Sequence, residues 1–266
     1  MNNIHPTAIL GPEVVLGDNI TVEPYAILDG RITLGNRVRV GPYVHLTGWV
    51  EVGAGTRIHS GAAIGEPPQD YSWDGVPGLV KIGENCILRE FVTVHTPVKG
   101  GEGEMTIVGD EAFLMANVHI AHNVKIGIRT VIANATLFGG WVTVGENAFV
   151  SGLCAVHQNS RVGDYSIIGH NSKITQDVPP YMMCDGNPAA IYGLNVVGLR
   201  RKGIDSAQRA KLKDAFKTLY SGRSIREANA EIEAKYSSDE LVMKLVNFVK
   251  ASKRGIIAQR GGSGDD

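Results

Sequence analysis

Four of the eight histidines in this chain, His95, His119, His122 and His157, fall between residues 95 and 157, and the densest group is the run Asn117 to Asn123, NVHIAHN. A histidine can take a proton from a hydroxyl or an amine near neutral pH, and it needs no cofactor to do so. No serine or cysteine lies in a nucleophile-elbow context, so direct attack by a group that the base activates is expected rather than a covalent enzyme intermediate. The run Phe138-Gly139-Gly140 offers a backbone N–H for the tetrahedral oxyanion, because glycine lets the main chain approach closely. Read as zinc ligands, His119 and His122 with His95 would resemble the edge site of a solenoidal carbonic anhydrase. The helical C-terminal region and a second long loop would then have no task, and no metal is expected. The basic run Arg200-Arg201-Lys202 reads equally as a solvated face or as a surface for phosphates or an acidic carrier protein.

These residues are positioned by a six-residue period. Stepping by six from Ile4 meets only aliphatic residues as far as Ile64, a second frame runs through Ile82, Leu88 and Val94, and a third runs from Val108 to Ile174. Four residues after each aliphatic position stands a residue that is usually small or β-branched, such as Ala8, Val14 or Ile20. This period fits neither a helix nor simple strand alternation, and it implies short flat strands separated by corners. Three hexapeptides make a triangular coil of about 18 residues, and coils stack at the strand spacing of roughly 4.8 Å. Glycine and asparagine near the corners are expected to tolerate the turn. Counting faces from Val108 brings His122, Gly140 and His157 onto one face, with His122 and His157 two coils apart, roughly 10 Å.

Two segments break the frame, residues 66–81 and 96–107, and each is expected to be a loop leaving a corner beside the histidines. The solenoid is expected over residues 1–190 and a small helical domain over 191–256, with Leu212, Ala215, Phe216 and Leu219 on one stripe and a capping box at Ser237 and Glu240. A flexible tail is expected over 257–266. Basic and acidic residues number 26 and 27, so the overall charge gives no reason to expect nucleic acid. There is no apolar stretch long enough to span a membrane and no signal-like start, and a cytoplasmic protein is expected. Cys86, Cys154 and Cys184 lack metal-ligand spacing and are expected to be buried thiols.

The stretches IGEPPQD, VTVHTPV, HIAHN, AVHQN, QDVPPY, GNPAAIYGLN and GLRRKG resemble the UDP-N-acetylglucosamine O-acyltransferase family, over essentially the whole chain. The resemblance implies a left-handed parallel β-helix and transfer of a 3-hydroxyacyl group from acyl carrier protein to a UDP-amino sugar, the first step of lipid A synthesis. It implies that His122 is the general base and the Gly140 N–H the oxyanion donor. It further places His95, His119, His157 and Gln158 along the sugar and phosphate region, Gln69 and Asp70 on the sugar or acyl chain, and Asn195, Arg201 and Lys202 on nucleotide or phosphate groups. Homotrimers with sites between subunits are implied, with the carrier protein docking on Arg200, Arg201 and Lys202. Four positions depart from the family pattern: Ser72 stands where a lysine is common, Asn123 where aspartate is frequent, Trp141 in place of a histidine and Val197 in place of an acid. The missing lysine points to a 3-amino sugar acceptor as well as the ordinary one. His170, where many members have glycine, is expected to shorten the acyl groove. The alternative is a nucleotide-sugar N-acyltransferase using acetyl-CoA or another short acyl donor. A non-catalytic scaffold would need neither the histidine cluster nor the loops.

Overall fold

The computed structural model describes residues 1–260. It is a left-handed parallel β-helix of about 10 turns with four helices near its C-terminus. Most strands are two residues long, and regular partners lie eighteen residues apart, as in His119↔Leu137, Leu137↔Ala155 and Ala155↔Lys173. The aliphatic position of each hexapeptide points inward, and Leu28, Leu46, Ile64, Val94, Ile120 and Ile168 are fully buried. The position four residues later fills the same interior. It accepts small polar groups as well, because Thr130 and Thr136 return their hydroxyls to the carbonyls of Gly145 and Ser151 at 3.1 and 2.8 Å. Cys86 and Cys154 occupy this same small position, and all three cysteines are buried, with burial pushing the Cys86 thiol up to about 11 and Cys184 to about 12.

Asparagine takes many of the corners, such as Asn117, Asn123, Asn147, Asn159 and Asn171, and glycine takes a few, at Gly55 and Gly61. From Glu111 to Asn171 every sixth residue is a non-glycine corner residue with φ between 53° and 62°, including Ala135, Trp141 and Leu153. Many glycines that follow the aliphatic position have ordinary dihedrals and are required by stacking instead. A Cβ on Gly53 would lie 2.5 Å from the Gly83 carbonyl carbon, and one on Gly127 would lie 2.6 Å from that of Gly145.

The two insertions are shorter than the frame suggests. Ala63 pairs with Thr93, thirty residues on, and Thr93 pairs with His119, twenty-six on. Within them the strands Gly78–Ile82 and Gly101–Val108 rejoin the sheet, so only about residues 67–77 and 96–100 leave it. The periodic rule misses these strands because an inserted segment shifts the frame without ending the pairing. After the last coil an antiparallel hairpin, Met182–Gly186 with Ala189–Leu194, crosses the 190/191 boundary and caps the solenoid. Helix α1 (Val196–Arg201) follows, then α2 (Ser206–Leu219), α3 (Ile225–Tyr236) and α4 (Glu240–Lys250). Leu212, Ala215 and Leu219 are buried, with Phe216 packed against the core beside them. The cap of α4 is Asp239, whose side chain accepts from the Val242 N–H. Ser237 ends α3 instead, and the capping box belongs to Ser224 and Glu227. The expected tail begins in contact: Ile257 is buried, and the Ile191 N–H donates to the Ala258 carbonyl. Residues 261–266 lie outside the described residues. Among the described residues no helix is long and apolar enough to cross a membrane.

Candidate active site

The strands His119–Ile120, Leu137–Phe138, Ala155–Val156 and Lys173–Ile174 form four consecutive rungs of one face. Their outward residues and the corner that follows them line a cavity of about 370 Å³, together with Gln69 from the first insertion. Of the residues singled out from the sequence, Gln69, His95, His119, His122, Gly140, His157 and Gln158 all line it. Asp70 reaches it from the same loop, with a carboxylate oxygen 3.6 Å from His122 Nε2.

His122 is only 6% exposed. Its Nδ1 lies 3.0 Å from Asn123 Oδ1, and the Trp141 ring meets it edge-on with centroids 4.5 Å apart. Gly140 is the next rung's corner residue, and a Cβ there would come within 2.2 Å of the His122 ring. Glycine at 140 therefore clears the space the imidazole occupies. The Gly140 N–H has no backbone acceptor among the described residues, whereas the neighbouring Gly139 and Trp141 N–H groups donate to Val156 and His122 carbonyls.

Burial pushes His95 down to about 4, with His119 and His122 adding smaller contributions, and burial also lowers His119. His119 Nδ1 is 2.7 Å from the Thr93 hydroxyl, and the His95 and His119 rings meet edge-to-face at 4.8 Å. His157 donates from Nδ1 to the Gln158 carbonyl at 3.0 Å, leaving its Nε2 for a ligand. The Asp70 carboxyl is held below its usual range, chiefly by the Ser72 hydroxyl at 2.6 Å and the Ser72 N–H at 2.8 Å. Serine at 72 thus engages the acid directly where a lysine would bring a charge. Among the described residues no group of three histidine, cysteine or acidic side chains could hold a metal ion.

Other expected residues are not brought to this cavity within one chain. Asn195 is buried as the N-cap of α1, accepting from the Gly198 N–H at 2.8 Å and donating to the Tyr165 carbonyl at 2.7 Å. Its side chain caps the helix and does not line the cavity of the single chain. Arg200, Arg201 and Lys202 are exposed at the end of α1, and His170 is exposed beside Gly152; none of the four lines the cavity. Lining residues that went unmarked in the sequence include Leu137, Ala155 and Lys173. They lie at the outward positions of the rungs, and three steps of eighteen residues from His119 reach Leu137, Ala155 and Lys173 in turn.

A family model for domain 2 of UDP N-acetylglucosamine O-acyltransferases matches residues 177–257, and one for bacterial transferase hexapeptide repeats matches residues 31–66. The chain is 42% identical over 264 residues to an acyl-(acyl-carrier-protein)–UDP-N-acetylglucosamine O-acyltransferase of Verminephrobacter eiseniae, covering 97% of this chain and 100% of that one. It is 44% identical over 262 residues to the protein of the same name from Burkholderia mallei, with the same coverage. The solved UDP-N-acetylglucosamine acyltransferase of Francisella novicida superposes with a TM-score of 0.94 at 30% identity, covering 99% of this chain and 96% of that one. The corresponding Campylobacter jejuni structure gives 0.90 at 33%, covering 97% and 100%. With nearly full-length identity of this order and the same solenoid under it, the chain belongs to the UDP-N-acetylglucosamine O-acyltransferase family and is an acyltransferase.

Proposed function

We propose that the chain transfers an (R)-3-hydroxyacyl group from acyl carrier protein to the 3-position of UDP-N-acetylglucosamine or its 3-amino analogue, in the cytoplasm, opening lipid A synthesis. The observation that carries this reading is the pairing of His122 with Gly140 in a cavity that His95, His119, His157 and Gln158 also line. His122 Nε2 takes the proton from the acceptor's 3-hydroxyl or 3-amine as that group attacks the thioester carbonyl. The Gly140 N–H donates to the oxyanion of the tetrahedral intermediate. Collapse breaks the C–S bond, and the imidazolium returns the proton to the departing thiolate. No cofactor enters, since the thioester supplies the activation.

His95, His119, His157 and Gln158 bind the sugar and diphosphate, with Gln69 and Asp70 closing over them. Asp70 has no basic partner besides His122 among the described residues, and a cationic 3-amino sugar would supply one. Arg200, Arg201 and Lys202 meet the acidic carrier protein or the phosphates held by a neighbouring subunit of a homotrimer. His170 limits acyl length from outside the single-chain cavity. The curated relatives' names favour the carrier-protein donor over the short-acyl alternative.

The test is acyl transfer by purified protein from a panel of 3-hydroxyacyl carrier proteins to both acceptors, with His122→Ala alongside. Transfer that falls by a factor of about 10² to 10⁴ in the variant is expected for loss of a general base. A strong preference for the 3-hydroxyl sugar removes the 3-amino acceptor, and activity only with acetyl-CoA overturns the reading. His170→Gly is expected to lengthen the preferred acyl chain; an unchanged preference rules out its role as ruler.

A further inference from the structure

His122 takes its tautomer from the corner residue beside it, which the second insertion holds in place. Asn123 follows it at the corner, with φ 59°, and its amide is held at both ends. Asn123 Oδ1 accepts from the Val98 N–H at 3.1 Å, and Asn123 Nδ2 donates to Glu104 Oε2 at 2.6 Å. A backbone N–H can only donate and a carboxylate can only accept, so both neighbours demand the same orientation of the amide. The oxygen that results faces His122 Nδ1 at 3.0 Å, which must therefore carry the proton, leaving Nε2 as the acceptor toward the cavity. The Thr106 hydroxyl, 2.9 Å from the Asn123 N–H, pins the main chain beneath. Val98, Glu104 and Thr106 all belong to the second insertion, whose three separate contacts converge on this one residue.

We propose that Glu104 is a positioning residue for acyl transfer: through the Asn123 amide it holds His122 in the Nδ1–H tautomer and sets a negative charge behind the imidazolium that forms. An asparagine alone could turn its amide over and offer His122 a donor, which would put the proton on Nε2 and remove the base. The carboxylate of Glu104 prevents that turn. The inference rests on His122 acting as the base, and its test has a readout that does not require turnover.

In ¹⁵N-resolved NMR of the neutral His122 imidazole, the wild-type protein is expected to show a single Nδ1–H tautomer and Glu104→Ala a mixture. In turnover, Glu104→Ala is expected to lower kcat at least tenfold with acceptor KM within about twofold. Asn123→Asp alone sets two carboxylates against each other and is expected to lose as much. Adding Glu104→Gln to Asn123→Asp restores a donor–acceptor pair and is expected to recover kcat to within about threefold of wild type, which a merely structural contact would not do. A Glu104→Ala protein that keeps the single tautomer, or a double variant whose losses simply add, overturns the proposal. A tautomer shift with no acyl transfer in any variant, wild type included, would instead count against the proposed reaction while leaving the positioning role standing.

Discussion

At the scale of single residues, burial disfavours the charged form of two cavity histidines, His95 and His119. His95 is buried, its Nδ1 has no partner among the described residues, and its pKa is lowered to about 4. The unfolded chain takes up that proton near the ordinary value of 6.5 and the folded one does not. The folded state is thus unaffected by this group above about pH 6.5 and loses stability as the pH falls from there towards 4, by up to about 3 kcal/mol. Urea midpoints of wild type and His95→Gln measured from pH 7.5 to 4.5 should diverge in shape, the wild type falling more steeply. Parallel curves would mean that His95 titrates normally.

At the scale of the repeat, two demands on the chain are met by different residues. Stacking requires no side chain at positions such as Gly127, and Gly127→Ala is expected to cost more than about 2 kcal/mol because backbone rather than a flexible side chain stands in the way. The corner is strained for residues with a Cβ, by roughly 1–2 kcal/mol each. Ala135→Gly relieves that strain against glycine's greater entropy in the unfolded chain, and is expected to be within about 1 kcal/mol of neutral. Chemical denaturation of the pair distinguishes these demands. Similar losses at both positions would show that the corner, and not the close approach of coils, is what glycine serves.

At the scale of the molecule, the last described segment ties the helices to the solenoid. The Asp177 N–H donates to the Gly255 carbonyl, the Ile257 N–H to the Asp177 carbonyl and the Arg260 N–H to the Ile191 carbonyl. Ending the chain after Ser252 removes these bonds and the buried Ile257, and is expected to lower stability by at least about 3 kcal/mol in thermal or urea unfolding. Charge acts over longer distances. Reversal of Arg200, Arg201 and Lys202 to glutamate is expected to raise the KM for acyl carrier protein at least tenfold in low salt, an effect that shrinks as salt is added. A KM that does not change places the carrier protein elsewhere.

Much of this was legible before any coordinates. The six-residue period determined the solenoid, because an inward side chain recurring every six residues can be buried only if short strands turn at regular corners. It also determined that His119, His122, Gly140 and His157 share one region, since rungs eighteen residues apart stack directly. The proposed histidine chemistry rests on residue type. Tertiary structure decided what no period carries. It set Ser72 on Asp70, spent Asn195 on a helix cap and brought Glu104 to Asn123 across nineteen residues. These contacts join an insertion or a cap to the solenoid, and their geometry is fixed by where the chain leaves the frame and how it packs on its return.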